Sequence, residues 1–236
     1  MTLTRIQEAE VMDTPEDALE YDTMDFIEVN TSFATRAVDL APEVAKVLDI
    51  GTGTARIPIL MARRRPSWKI TGIDLSSNML KVGDWNVKKE GLEKQITLRL
   101  VDAKSLPFRK GEFDVVVSNS IVHHIPDPIP FFLELKRVLV PGGTILVRDL
   151  FRPESEQQLN EIVARVCVND TEYQTKLFRD SLHAAFTLDE VRKFASATGF
   201  NDVTIYQSSD RHWTMERKGP GGNQSRVGEQ GHGAER

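Results

Sequence analysis

Short apolar runs alternate with amphipathic stretches along most of the chain, a pattern that predicts strands followed by helices. The first apolar run, Lys46 to Ile50, leads into a helical pattern from about Thr54 to Arg65. Pro58 falls in its first turns, where a missing amide matters least, and Pro66 stops it. A second strand ends at Asp74, and Ser76 is placed to cap a helix running toward Gly91. A third strand spans Ile96 to Ala103. After the loop Leu106 to Gly111, Phe113 to Asn119 is apolar enough to be a central strand. A helix over Ile129 to Leu139 turns through Pro141-Gly-Gly143 into the strand Thr144 to Arg148. With Val203 to Tyr206 and His212 to Arg217 as a final strand pair, these runs describe an α/β fold. Its sheet is doubly wound, mostly parallel and seven-stranded.

Two stretches break the rhythm. Pro15 to Leu40 mixes acids with Leu19, Tyr21, Phe26, Ile27, Phe33 and Ala37, and reads as one or two helices ahead of the sheet. Pro153 to Phe186 reads as two helical pieces inserted after the fifth strand. Thr187-Leu-Asp-Glu190 then forms a capping box that starts another helix, ending near Gly199. From Gly219 onward glycine and polar residues dominate, and such a segment cannot offset its ordering entropy. The expected organisation is one domain over residues 1–218, with N-terminal helices in 1–44, a helical insertion in 153–186 and a disordered tail over 219–236.

Charge changes this picture at the strand ends. Asp49, Asp74 and Asp102 each stand near the carboxyl end of a successive strand, where an open parallel sheet forms its ligand crevice. Elsewhere composition mainly excludes. The 236 residues carry a net charge of -5, unlike the basic field of a general nucleic-acid binder. The lone cysteine, Cys167, has no disulfide partner and no companions at metal-ligand spacing, so no metal is expected. No apolar run approaches the roughly 18 to 20 residues that span a bilayer, and Met1 to Glu10 is too polar for a signal peptide. A cytoplasmic setting, away from membranes, is expected.

The loop after the first strand reads Gly51-Thr-Gly-Thr-Ala-Arg56. A dinucleotide-binding turn wants a third glycine where Arg56 stands, and the Asp49 carboxylate would repel a pyrophosphate. A cofactor with a cationic, amine-bearing end would instead be attracted. Val47-Leu-Asp-Ile-Gly-Thr-Gly-Thr-Ala55, Ile73-Asp-Leu-Ser-Ser-Asn-Met79 and Val101-Asp-Ala103 resemble, in order, the first three motifs of class I S-adenosylmethionine-dependent methyltransferases. Phe113 to Asn119 and Leu139-Val-Pro-Gly-Gly143 match the later ones. The resemblance is strongest over Ala45 to Asp149 and points to the small-molecule group that includes the ubiquinone/menaquinone C-methyltransferases. Ala55 departs from it, standing where a third glycine is frequent.

The resemblance implies a Rossmann-like methyltransferase fold with S-adenosylmethionine as cofactor, and it implies roles for named residues. Gly51 and Gly53 would let backbone approach the methionyl portion, with Asp49 near its amino end. Asp74 would accept from the ribose hydroxyls, and Leu75 or Met79 would pack on the adenine face. Asp102 would accept from the adenine amino group while the Ala103 amide donates to the ring. Asn119 would stand where the methyl meets its acceptor.

Methyl transfer is an in-line displacement, and positioning can supply most of its acceleration. Where the acceptor must lose a proton, His123 and His124 are the candidate bases, because imidazole titrates near neutrality. Tyr21, in Glu20-Tyr-Asp22, resembles an element that lies over the cofactor in many relatives. Arg148, Arg152, Arg179 and His183 lie at the fifth strand's end or in the insertion and would suit an anionic group on the substrate. The leading expectation is methyl transfer to a small metabolite. The alternatives are a protein or peptide side chain as acceptor, or a cofactor-binding protein without catalysis.

Overall fold

The computed structural model describes residues 3–8, 13–23 and 26–222, apart from the side chain of Asp17. Two helices, α1 (Pro15–Thr23) and α2 (Ile27–Leu40), precede β1 (Lys46–Ile50). Then follow α3 (Arg56–Arg64), β2 (Lys69–Asp74), α4 (Ser77–Lys89), β3 (Ile96–Leu100), β4 (Phe113–Asn119), α5 (Ile129–Val138) and β5 (Leu139–Leu150). The chain continues with α6 (Glu156–Val166), α7 (Glu172–Ala184), α8 (Leu188–Ala197), β6 (Thr204–Gln207) and β7 (His212–Arg217). The seven strands lie in the order β3-β2-β1-β4-β5-β7-β6. β1 to β5 pair in parallel and β7 runs antiparallel to both β5 and β6. The order reverses between β1 and β4, so those two strands open the crevice at their carboxyl ends.

Successive strand residues point to opposite faces, and here both faces are covered. Leu48, Ile50 and Val116 pack with Phe131 and Leu135 of α5 and Val191 of α8. Val47, Val115 and Val117 pack on the other side with Phe33 of α2, Ile59 and Met61 of α3 and Val87 of α4. The insertion after β5 has its own small core, in which Leu159, Ile162 and Val163 of α6 meet Leu182 of α7 and Leu150 of β5.

Several boundaries differ from the sequence reading, each for a local reason. β3 ends at Leu100 rather than Ala103. The Val101 amide still donates to the Asp74 carbonyl, but Oδ1 of Asp102 accepts from the Lys104 amide and turns the backbone out of the sheet. β5 is longer than Thr144 to Arg148 and includes Pro141-Gly-Gly143, because a register shift opposite Phe113 and Val115 absorbs these residues. The chain end also differs. Gly219 is buried, and its amide donates to the Leu40 carbonyl and to Thr144 Oγ1, so the packed region runs past residue 218. The rest of the expected tail, 223–236, lies outside the described residues. The capping box at Thr187 and Glu190 is present, joined by a second at Thr171 and Gln174 that opens α7.

Candidate active site

The β1 loop is held by its neighbours. The Gly51 and Thr52 amides both donate to the Ile73 carbonyl at 2.9 Å, and the Gly53 amide donates to Asp74 Oδ2 at 2.8 Å. Gly51, Gly53 and Ala55 all have positive φ (73°, 52° and 63°). The left-handed backbone at Ala55 is why glycine would be preferred there. A Cβ on Gly51 would come within 2.0 Å of Ile121 Cγ2, so the backbone there is in close contact with the segment after β4. Oδ1 of Asp74 accepts from the Ser76 amide at 2.9 Å, leaving each carboxylate oxygen able to accept another bond.

A cleft of ≈ 140 Å³ lies at this loop, and Tyr21, Gly51, Gly53, Asp74, Leu75 and Met79 line it. Asp102, Ala103, Lys104, Asn119, Ser120 and Ile121 line it as well. The structure thus brings the sequence-predicted cofactor residues together around one cleft, apart from Asp49. That carboxyl is buried beneath the loop, and its Oδ2 makes no hydrogen bond. Burial pushes its pKa up to about 7, with Thr52 opposing and the Asp74 charge adding. Burial and the charges of Asp74 and Asp49 push the Tyr21 phenol up to about 12. Asp102 is more exposed and pairs with Lys104 Nζ at 3.0 Å.

Beside this cleft is a second, larger cavity of ≈ 690 Å³, roofed by α7 and by the segment 3–8. Tyr21, Asn119, Ser120 and His124 border both spaces. Phe26, Val29, Leu150, Leu177 and Phe178 give the larger one an apolar wall. The segment 3–8 is tied down by Arg5, whose Nε donates to the Ala184 carbonyl at 2.7 Å and whose Nη2 donates to those of His123 and Ile125. The Arg5 guanidinium also lies 4.0 Å from the Phe186 ring centre.

The two histidines differ in setting. His123 is buried, with Nδ1 2.5 Å from Asp149 Oδ1 and Nε2 3.3 Å from Glu8 Oε1. Asp149 is fully buried at the end of β5 and also accepts from the Val122 amide at 2.5 Å. Burial works against the charge on each partner, but their mutual attraction outweighs it. Asp149 is held below, and His123 above, its ordinary pKa. Glu8 is raised, chiefly by burial. His124 Nδ1 also lies 3.3 Å from Glu8 Oε1.

The arginines separate. Arg179 lines the large cavity and donates to Asn160 Oδ1, and His183 lines it beside Glu156. Arg152 does not reach it. Its guanidinium is buried against Glu190 (2.8 Å) and the Ala185 carbonyl (3.1 Å), an internal tie from the start of the insertion to its far end and to α8. Arg148 faces a different space, beside Phe33 and Tyr206, and donates to Asn119 Oδ1 at 3.1 Å and to the Val29 carbonyl at 2.9 Å. Burial lowers its pKa to about 10. Sequence reasoning missed Glu8 and Asp149. Asp149 carried the same signal as Asp49 and Asp74, an acid at a strand's carboxyl end, whereas Glu8 had none.

An open α/β sheet with acids ringing a cleft at its switch point defines a nucleoside-binding class of enzyme fold. Residues 43–219 match the family described as "Methyltransferase domain", and the chain belongs to that family. It is 30% identical over 174 residues to a malonyl-[acyl-carrier protein] O-methyltransferase of Geobacter sulfurreducens, covering 71% of this chain and 60% of the relative. It is 38% identical over 113 residues to the demethylmenaquinone methyltransferase of Bacillus subtilis, covering 48% of each. The matches thus span about half to three fifths of these two relatives. Among solved structures, a SAM-dependent methyltransferase of Aquifex aeolicus superposes with a TM-score of 0.65 at 16% identity, over 87% of this chain and 98% of that one. A phosphoethanolamine N-methyltransferase 2 of Haemonchus contortus, in complex with S-adenosyl-L-methionine, gives 0.66 at 19% identity over 86% and 56%. No helix among the described residues is long and apolar enough to cross a membrane.

Proposed function

We infer that the chain transfers a methyl group from S-adenosylmethionine to a small molecule held in the ≈ 690 Å³ cavity. The observation that carries this reading is the shared border at Tyr21, Asn119, Ser120 and His124 between a nucleoside-sized cleft and an apolar chamber. The residues present fit the cofactor. Asp49, buried at the end of β1 outside the cleft lining, keeps a carboxyl oxygen without a partner, and its charge would favour a cationic amino group nearby. Asp74 has acceptor capacity for ribose hydroxyls, and Gly51 and Gly53 keep side chains out of the path of the methionyl portion. Met79 and Leu75 supply apolar surface for the adenine, with Asp102 and Ala103 at its polar edge.

When bound, the cofactor supplies an electrophilic methyl on a sulfonium. The chain's own part is to align an acceptor with it, exclude water and, where needed, take a proton. Tyr21, α7 and residues 3–8 line the cavity and would limit the access of water to it. Arg148 holds the Asn119 amide in place at the border. Asp149 engages Nδ1 of His123 and raises the imidazole's affinity for a proton, leaving Nε2 beside Glu8 at the cavity wall as the candidate base when the ring is neutral. His124 borders both spaces and contacts the acceptor. The names of the relatives agree with a small or carrier-borne acceptor, and the roofed, mostly apolar chamber favours a metabolite over a peptide side chain. The negative net charge and the lone Cys167 suit a cytoplasmic setting.

The test is calorimetric titration with S-adenosylmethionine. Wild type should bind one equivalent, and Asp74→Ala should bind at least tenfold more weakly, since charge-assisted hydrogen bonds contribute about 1.5 to 3 kcal/mol each. Binding of NAD with none of S-adenosylmethionine would overturn the reading.

A further inference from the structure

Three groups from distant parts of the chain converge at the wall of the large cavity: Glu8, His123 and His124. One ligand-type atom from each lies within 4.8 Å of the others. Oε1 of Glu8 is 3.3 Å from His123 Nε2 and 3.3 Å from His124 Nδ1, yet it is buried and accepts no hydrogen bond. A four-coordinate divalent ion with bonds of about 2.0 to 2.1 Å places its ligands roughly 3.3 Å apart, the separation that Glu8 Oε1 keeps from each of the two imidazole nitrogens.

The surroundings point the same way. His123 presents Nε2 to the cluster because its Nδ1 is engaged by Asp149 at 2.5 Å, the carboxylate–imidazole arrangement that orients metal-binding histidines. Glu8 is oriented by Ser181, whose Oγ donates to Oε2 at 3.1 Å. Arg5 anchors the segment that carries Glu8, bonding to the His123 carbonyl itself. Two imidazoles, deprotonated at their ligating nitrogens, and a carboxylate would leave a coordination position open, the donor set of catalytic rather than structural zinc sites.

We propose that Glu8, His123 and His124 bind one divalent transition-metal ion, Zn²⁺ or a similar borderline ion, at the edge of the acceptor cavity. For its use in catalysis this rests on the methyl-transfer reading, and it then defines the acceptor as a hydroxyl compound. Coordination lowers the pKa of the hydroxyl, whose proton passes to solvent. The oxygen lone pair forms the new C–O bond while the methyl–sulfur bond breaks and its electron pair remains on sulfur as a thioether. With the ion bound, the proton-accepting task no longer falls to His123.

The experiment uses tag-free full-length chain, stripped with chelator and without cofactor, titrated with Zn²⁺ and separately with Co²⁺. One equivalent should bind, and Co²⁺ should develop the intense visible bands of a tetrahedral site. Glu8→Gln and His124→Gln should each weaken binding at least tenfold and abolish those bands, and Asp149→Asn should weaken it about 10- to 100-fold. Glu8→Gln should retain wild-type affinity for S-adenosylhomocysteine, which shows that it is folded and separates this result from the cofactor reading. His183 and His212 also line the cavity, so Zn²⁺ affinity equal in wild type and both cluster variants would place the ion elsewhere and overturn the proposal. No binding, or only the weak bands of octahedral Co²⁺, would overturn it as well.

Discussion

His123 and Asp149 form a buried pair, Nδ1 to Oδ1 at 2.5 Å, that ties the turn after β4 to the end of β5. The pair makes stability depend on pH in two directions. His123 has a raised pKa, so its contribution is complete below its ordinary value of 6.5 and is lost as pH rises through the folded value. Asp149 has a lowered one, so its contribution is present above its ordinary 3.8 and is lost as pH falls through the folded value. Removing one member of a buried pair costs about 3 to 5 kcal/mol. Denaturant unfolding of the metal-free chain should therefore show Asp149→Asn most destabilised, relative to wild type, between about pH 4 and 6.5. A difference that is flat from pH 4 to 9 would count against the pairing.

Asp49 links cofactor binding to protons. Its pKa of about 7 belongs to the ligand-free chain, where burial disfavours the carboxylate. A cationic amino group beside it would return the carboxyl to its charged form and release a proton. Affinity for S-adenosylhomocysteine should rise between pH 5.5 and 7, and Asp49→Asn should lose that slope. Equal pH dependence in the two proteins would remove Asp49 from the cofactor site.

The two ends of the glycine-rich tail should behave differently. A chain ending at Gly222 should match the full chain in melting temperature. One ending at Lys218 should melt lower, because Gly219 bonds to both Leu40 and Thr144. Each buried hydrogen bond contributes about 0.5 to 1.5 kcal/mol, enough to read as a shift of a few degrees. Identical melting of both truncations would mean these bonds hold nothing.

Residues 153–186, together with 15–23 and 26–35, should act as a closing lid. The insertion leaves β5 at the crevice end and packs on a small core of its own. Hydrogen exchange in these stretches should slow when S-adenosylhomocysteine binds, by more than in α5 or α8. Exchange that is already slow and unmoved by ligand would make the insertion a fixed wall.

The sheet was largely legible in the sequence because buried parallel strands are continuous apolar runs. β1 and β4 fall where those runs lie. The short β3 and long β5 were not, since an Asp102 side-chain bond ended one strand and a bulge let the other run through Pro141 and two glycines. The cofactor cleft was legible because its residues sit at fixed offsets from strand ends. The acceptor side was not. Arg148 and Arg152 look alike as strand-end cations, and only the fold turns one to Asn119 and the other to Glu190. Glu8 reaches His123 across more than a hundred residues, a relationship carried by Arg5 docking and by no local pattern.

The central claim is that a methyl group passes from the cleft at Asp74 to a small molecule in the neighbouring cavity. Incubation with methyl-labelled S-adenosylmethionine and a metabolite extract, followed by mass spectrometry, tests it directly. The account predicts label on a low-molecular-weight compound with stoichiometric S-adenosylhomocysteine, and both products strongly reduced in Asp74→Ala. Label confined to protein or peptide side chains, or cofactor binding with no transfer to any fraction, would contradict it.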